Sequence, residues 1–198
     1  NLVKKIVKTG LLEMILQKGC RILNLCHSTI HGSLSLNIKS QLRVLDLSEP
    51  QCTIHDGCDC TENDGVLEEI LFSCCFLQHL VMERVFLTPK MADSVCKNGK
   101  TLQTLNLNGS ILDESNMKEI IKCCQELKEV DLADITDGKH TDYEYTGEYF
   151  ELLAENIGPR VEMLNLSGTS VADDEVKILL SRCKKIKILN LEATLITD

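Results

Sequence analysis

The chain has 198 residues, a formal charge of −9 at pH 7 and a pI of about 5.1. A chain of this length suits one domain, and its acidic balance argues against nucleic acid, because phosphate binding requires clustered Lys and Arg. No run of 18 apolar residues occurs, so no membrane-spanning helix is predicted.

The first part of the chain predicts a helix and two short strands. Apolar residues at helical spacing within 1–19 indicate the helix. A weak strand pattern follows over 20–25, and a clear one, with leucines at L-x-x-L-x-L spacing, lies over 42–47. Pro50 ends this strand, and a polar insert is expected over 51–64.

Helices and strands alternate through the rest of the chain. A helix is predicted over 65–75, and another starts after Thr88, whose hydroxyl suits an N-cap and precedes a proline. The most regular unit, 101–124, joins a strand at L-x-x-L-x-L spacing to a helix with one apolar face. A second polar insert over 138–147 precedes a predicted helix over 149–157.

The last full unit covers 161–183 and is followed by one more strand. Its helix has a predicted core-facing stripe of Val176, Leu179, Leu180 and Cys183. The chain starts at Asn1, and its final residues resemble the start of another repeat. We therefore expect a fragment of a longer protein, truncated at both ends.

The L-x-x-L-x-L pattern occurs seven times, and its central residues define the repeat. These are Leu23, Leu45, Leu80, Leu105, Val130, Leu164 and Leu189, separated by 22, 35, 25, 25, 34 and 25 residues. A short strand and a one-sided helix need stacked copies to bury their apolar residues, and units of this length are typical of leucine-rich repeats. The sequence predicts one α/β leucine-rich-repeat solenoid over 1–198. We expect a ribonuclease-inhibitor-like horseshoe with parallel strands on its concave face and helices on its convex face.

Six of the eleven cysteines lie at or near the ends of predicted helices: Cys74, Cys75, Cys96, Cys123, Cys124 and Cys183. Free cysteine behaves as a small buried hydrophobe, which suits the corner between a helix and the next strand. Because many free thiols require a reducing compartment, a cytoplasmic or nuclear location is expected.

The first insert contains a possible metal site made of Cys52, His55, Cys58 and Cys60. Four Cys and His ligands suit tetrahedral zinc, but their spacing departs from the usual pair of two-ligand knuckles. A Cys-rich surface loop is therefore favoured, and no cofactor is expected. No nucleophile motif, phosphate-binding Gly loop or H-E-x-x-H occurs, which predicts a non-catalytic protein.

Residues that alternate with the inward leucines point away from the core and form a candidate binding surface. Its mixed polar and acidic character favours a protein partner with basic and small apolar groups. The Asp or Asn that directly follows a central residue either bonds neighbouring strand ends or contacts the partner, and both interpretations stay open. The candidate residues are His79, Glu83, Thr104, Asn106, Asn108, Glu129, Asp131, Met163, Asn165, Ile188, Asn190 and Glu192, in register with Val44, Asp46, Ser48, Val81, Ala133 and Ser167.

Two tyrosines in the second insert, Tyr143 and Tyr145, lie at the predicted rim of this surface. Tyrosine is a common interface anchor, although a solvated loop explains them equally well.

Several segments resemble a known repeat family. The strands LDLSE (45–49), LNLNGS (105–110) and LNLSGT (164–169) occur together with helices that end in SCC, KCC and SRC. This pattern resembles the cysteine-containing leucine-rich repeats of F-box substrate receptors, as do LEMILQKGCRILNL (12–25) and VLEEILFSCCFLQHLVMERVFLT (66–88).

The resemblance implies a substrate-recognition domain of an SCF-type cullin-RING ubiquitin ligase. The repeats would bind a protein substrate on the concave face, and an F-box outside this chain would bind the SCF adaptor. The alternative is a stand-alone inhibitor or scaffold of the ribonuclease-inhibitor type. That type has longer alternating repeats, so the 25-residue step speaks against it.

Overall fold

The computed structural model describes residues 5–34, 39–50, 64–137 and 147–197. Its helices are α1 (Thr9–Gln17), α2 (Asp64–Ser73), α3 (Pro89–Lys97), α4 (Glu114–Cys123), α5 (Gly147–Asn156) and α6 (Asp173–Arg182). Its strands are β1 (Lys5–Lys8), β2 (Ile22–Asn24), β3 (Ser28–His31), β4 (Val44–Asp46), β5 (His79–Val81), β6 (Thr104–Asn106), β7 (Glu129–Asp131), β8 (Met163–Asn165) and β9 (Ile188–Asn190). Helices α2 and α5 end slightly earlier than predicted, because the chain already turns toward the next strand.

Seven of these strands form one parallel sheet in the order β2-β4-β5-β6-β7-β8-β9. The central residues of the seven sequence repeats lie directly beside one another in this sheet. The predicted strand register is therefore confirmed. The inserts of the sequence fall between strands and leave the pairing unchanged.

The hydrophobic core lies between this sheet and the helices. The central strand residues Leu45, Leu80 and Leu105 are buried in one cluster with inward helix residues such as Ile70 and Ile120. Removing a leucine side chain from water stabilises the fold by roughly 1.5–3 kcal/mol. Successive helices from α2 to α6 also contact one another, so each repeat packs on its neighbours.

The helix starts and stripes follow the predictions, with one exception. Thr88 caps α3 because its hydroxyl oxygen accepts a hydrogen bond from the Met91 N–H at 3.2 Å, and Pro89 occupies the first helical position. In α6, Leu179 is buried, but Leu180 is 48% exposed, so its assignment to the core was wrong. Within the described residues, no later helix covers the far side of α6.

A buried asparagine joins the corners of two repeats after α3. Asn98 is 1% exposed, and its side-chain oxygen accepts a hydrogen bond from the Leu77 N–H at 3.0 Å. Its amide nitrogen donates to the carbonyl oxygens of Cys74 and Ser94, both at 3.0 Å. The bond to Cys74 crosses to the preceding repeat, and the bond from Leu77 holds the segment that leads into β5, so the side chain links repeats without exposing polar backbone.

Each strand of the large sheet is followed by a residue with a left-handed backbone, four positions after the central residue. These residues are His27, Glu49, Arg84, Gly109, Asp134, Gly168 and Ala193, with φ between 47° and 67°. At Gly168 a Cβ would collide with the Asp134 carboxylate, so a side chain there would require that carboxylate to move. The same bend recurs at every strand end, which keeps the repeats in register.

A second sheet was not predicted from the sequence. Strands β1 and β3 pair in parallel, and Val7 and Ile30 are buried. Each strand has only four residues, which is too short for a clear alternating pattern. The helix expected within 1–19 begins only at Thr9.

The parallel strands and stacked helices are compatible with a leucine-rich-repeat solenoid, and the horseshoe curvature stays a prediction. Among the residues described, no helix is long and apolar enough to cross a membrane.

Candidate functional site

The candidate site is the side of the large sheet that points away from the core, here called the sheet face. It consists of the residues at positions −1, +1 and +3 relative to each central residue. All twelve candidate binding residues are half-buried or exposed. Ser48 and Ala133 were also expected on this surface, but they are only 3% and 1% exposed. Both residues lie at position +3, after the strand has ended, whereas the equally small Ser167 at the same position is half-buried.

The Asp and Asn side chains at position +1 stabilise the ends of their own strands. In each, a side-chain oxygen accepts a hydrogen bond from the N–H two residues later, at 2.9–3.1 Å. The residues are Asn24, Asp46, Asn106, Asp131, Asn165 and Asn190. Of the two open interpretations, a structural role therefore accounts for one oxygen of each side chain. This bond lies within the strand's own end. The expected bonds between neighbouring strands also occur, from Asn24 to Asp46 and from Asn106 to Glu83, both at 2.8 Å.

Val81 is the exception at position +1, because it has no side-chain acceptor. Here the N–H of Glu83 donates to the hydroxyl oxygen of Ser48 in the preceding repeat, at 3.2 Å. The Ser48 hydroxyl thus takes the place of the Asp or Asn side-chain oxygen that Val81 lacks, which explains why Ser48 is buried. The sequence offers a signal for this, namely a lone Val in a column of Asp and Asn.

Three side chains at position −1 are linked across adjacent strands. The Nδ1 atom of His79 lies 2.9 Å from the Thr104 hydroxyl oxygen, and that hydroxyl donates to the Glu129 carboxylate at 3.2 Å. With the hydroxyl proton directed at Glu129, the Nδ1 atom of His79 is the donor. This linkage holds the Glu129 carboxylate in one position on the sheet face.

The carboxylates at the centre of the sheet face accept hydrogen bonds from neutral groups. Glu83 accepts a bond from the Asn106 side-chain amide at 2.8 Å, Glu129 accepts one from Thr104, and Asp131 accepts one from the Ala133 N–H. Among the described residues, none of these three carboxylates forms an ion pair with Lys, Arg or His.

Many carboxylates away from the sheet face, in contrast, form an ion pair with Lys or Arg. Glu49 pairs with Arg84 at 3.0 Å, and Glu114 pairs with Lys118 at 3.1 Å. At the rim, Lys187 donates to Glu162 and lowers the pKa of that carboxyl. A cationic partner on the sheet face could therefore neutralise the central carboxylates without displacing another cation of the described residues.

The composition of the sheet face is also unusual for this chain. Its 21 positions contain five carboxylates and no Lys or Arg, although the chain has 21 Lys and Arg residues. Beside the carboxylates, Met163 is half-buried and Ile188 is 61% exposed. Acidic and apolar groups thus lie next to each other on neighbouring strands.

Comparison with known proteins identifies the family. Residues 66–197 match the family model of the PRAME C-terminal domain. The chain belongs to the PRAME family. No curated protein matches the chain significantly.

PRAME proteins are leucine-rich-repeat-like, which agrees with the repeats predicted here. The match covers most of the chain, from α2 to the segment after β9, and therefore includes the central carboxylates. A domain of this type is a protein-interaction domain. This match does not extend to a role as an F-box receptor, so that role stays a prediction.

The cysteines of this PRAME-family chain divide into buried and exposed positions. Cys74, Cys124 and Cys183 are buried as predicted, whereas Cys75 and Cys123 are exposed. Burial raises the pKa of Cys74 to about 11 and that of Cys124 to about 12. These two thiols therefore stay protonated at neutral pH and are poor nucleophiles.

Two sets of predicted site residues lie outside the described part of the PRAME-family chain. These are the possible metal ligands Cys52, His55, Cys58 and Cys60, and the rim tyrosines Tyr143 and Tyr145. Among the residues that are described, no group of three or more His, Cys, Asp and Glu side chains could hold a metal ion.

Proposed function

We propose that this PRAME-family chain is a protein-recognition domain whose partner binds on the sheet face. The main support is the contrast between the two sides of the large sheet. One side is buried under helices, whereas the other presents carboxylates held in place by neutral donors. Such positioned but unpaired charges suit recognition of a partner.

A horseshoe curvature would make the sheet face concave and enlarge the contact area. Parallel strands and stacked helices support this shape, because a helix is wider than a strand. Small-angle X-ray scattering of the full-length protein tests it. A scattering profile of a straight rod would contradict the curved shape while leaving the repeats intact.

Site-specific photo-crosslinking tests the binding surface. A photoreactive residue replaces Met163 on the sheet face in one full-length variant and Glu155 on α5 in a matched control. We expect a specific crosslinked protein from position 163 only, and less of it when Ile188→Arg is added. Equal crosslinking from both positions, or from position 155 alone, would contradict the proposed surface.

The finer proposal is that the domain selects substrates for a ubiquitin ligase. Its support is the resemblance of the repeats and their helix-ending cysteines to those of F-box receptors. In that role the chain itself is not an enzyme, and other subunits transfer ubiquitin. Its free thiols suit the cytoplasm or nucleus.

Purification of the full-length protein from cells tests the ligase role. We expect a cullin and its adaptor to co-purify, and the full-length protein to contain an F-box. If no cullin adaptor co-purifies, the ligase role is wrong, and the stand-alone scaffold or inhibitor becomes the better explanation. The recognition function would survive that result.

A further inference from the structure

The sheet face has a charge pattern that specifies the chemistry of its partner. It lacks Lys and Arg at all 21 positions, and three of its five carboxylates, Glu83, Glu129 and Asp131, lie on β5 and β7 or just after β5. Each is held by a neutral hydrogen-bond donor. A cation that arrives here would therefore find anions already oriented and not paired with a cation from the described part of the chain.

The apolar part of the sheet face is adjacent to these carboxylates. Glu129, Met163 and Ile188 occupy the same register position on β7, β8 and β9. Neighbouring strands are about 4.8 Å apart, so Ile188 lies roughly 10 Å from Glu129. An extended peptide rises about 3.3 Å per residue. Side chains on the same side of an extended segment are two residues and about 6.6 Å apart, so a side chain two residues from one above Glu129 reaches between Met163 and Ile188.

We propose that the partner contributes an extended segment with a basic side chain near Glu129 and Asp131. A second, apolar side chain, two residues away, contacts Met163 and Ile188. This proposal rests on the proposed function, because it names the class of segment that the sheet face recognises. Nucleic acid does not fit, since its phosphates would face a surface of carboxylates.

Peptide selection with the full-length protein tests the proposal. A random 12-residue phage-displayed library is selected on the wild-type protein. Enriched peptides are then synthesised, labelled, and titrated by fluorescence anisotropy. We expect an excess of Arg or Lys two positions from an aliphatic or aromatic residue.

Neutralising the carboxylates gives the decisive comparison. In Glu83→Gln, Glu129→Gln and Asp131→Asn, each new amide keeps the oxygen that accepts the structural hydrogen bond. Asn already occupies the Asp131 register position in other repeats. The matched control, Glu119→Gln, Glu151→Gln and Glu155→Gln, removes the same charge from exposed helix residues.

We expect the triple sheet-face variant to bind the peptides at least about tenfold more weakly at low salt, with the helix control unchanged. An exposed ion pair contributes up to about fivefold in affinity, so a basic side chain that faces both Glu129 and Asp131 is sufficient for this loss. The difference should shrink at high salt, because mobile ions screen exposed charges.

The remaining outcomes separate this proposal from the proposed function. Peptides that lose binding to Met163→Arg/Ile188→Arg but bind the neutralised variant equally well would refute a basic partner and keep the sheet face as the binding surface. Peptides unaffected by either change would refute both proposals. A library that yields no peptide, or a wild-type dimer lost in Met163→Arg/Ile188→Arg, would also overturn the basic-segment proposal.

Discussion

Replacement of Asn98 by Ala tests how strongly one side chain joins two repeats. The side chain is 1% exposed and makes three hydrogen bonds. In the alanine variant, the Leu77 N–H and the carbonyl oxygens of Cys74 and Ser94 lose this partner. A buried polar group without a partner costs about 1–3 kcal/mol. Water can enter part of the space that the shorter side chain leaves and can bond some of these three groups. We therefore expect a loss of roughly 3–5 kcal/mol in the free energy of unfolding.

Urea unfolding followed by circular dichroism measures this loss, and Asn156→Ala provides the control. Asn156 also lies at the end of a helix, but it is half-buried, and among the described residues its side chain donates only to Leu152 within α5. Its replacement should cost less than about 1 kcal/mol. Equal losses for the two variants would show that the bonds between repeats contribute nothing beyond those within a helix, and the reasoning would be wrong.

Three further predictions concern the strand ends and the thiols. Asp131→Asn should change the free energy of unfolding by less than about 0.5 kcal/mol, because the accepting oxygen remains, whereas Asn165→Val should cost about 1 kcal/mol in urea unfolding. Gly168→Ala should lower stability by at least about 1 kcal/mol, since its Cβ meets a carboxylate at a positive φ; an unchanged thermal midpoint would contradict this. The raised pKa values of Cys74 and Cys124, about 11 and about 12 against 9.0, make the unfolded chain lose these protons first. Stability should therefore fall as pH rises from about 9 to 12, and a flat unfolding free energy in alkaline urea titrations would refute the assignment.

The positions of the buried strand residues could be predicted from the sequence because burial imposes a strict spacing. Leu45, Leu80 and Leu105 each occupy the centre of an identical pattern, and the same pattern fixes which residues alternate with them. Pairing in the large sheet followed directly, since repeats of similar length stack with their strands in register.

Contacts between repeats were harder to predict, because they depend on side-chain direction as well as spacing. The link from His79 through Thr104 to Glu129 joins residues 25 positions apart, and only the aligned repeats place them side by side. The exposure of Leu180 depends on what covers α6, which a helical pattern does not contain. The short strands β1 and β3 have no periodic pattern at all.

The hydrogen bond from the Glu83 N–H to Ser48 has a consequence for engineering. The repeats look like interchangeable modules, yet the unit around Val81 depends on a hydroxyl that belongs to its neighbour. If that unit is transplanted behind a repeat that lacks this serine, the Glu83 N–H loses its hydrogen-bond acceptor. Shuffled arrays built from this chain should therefore keep these two units together or restore Asn in place of Val81.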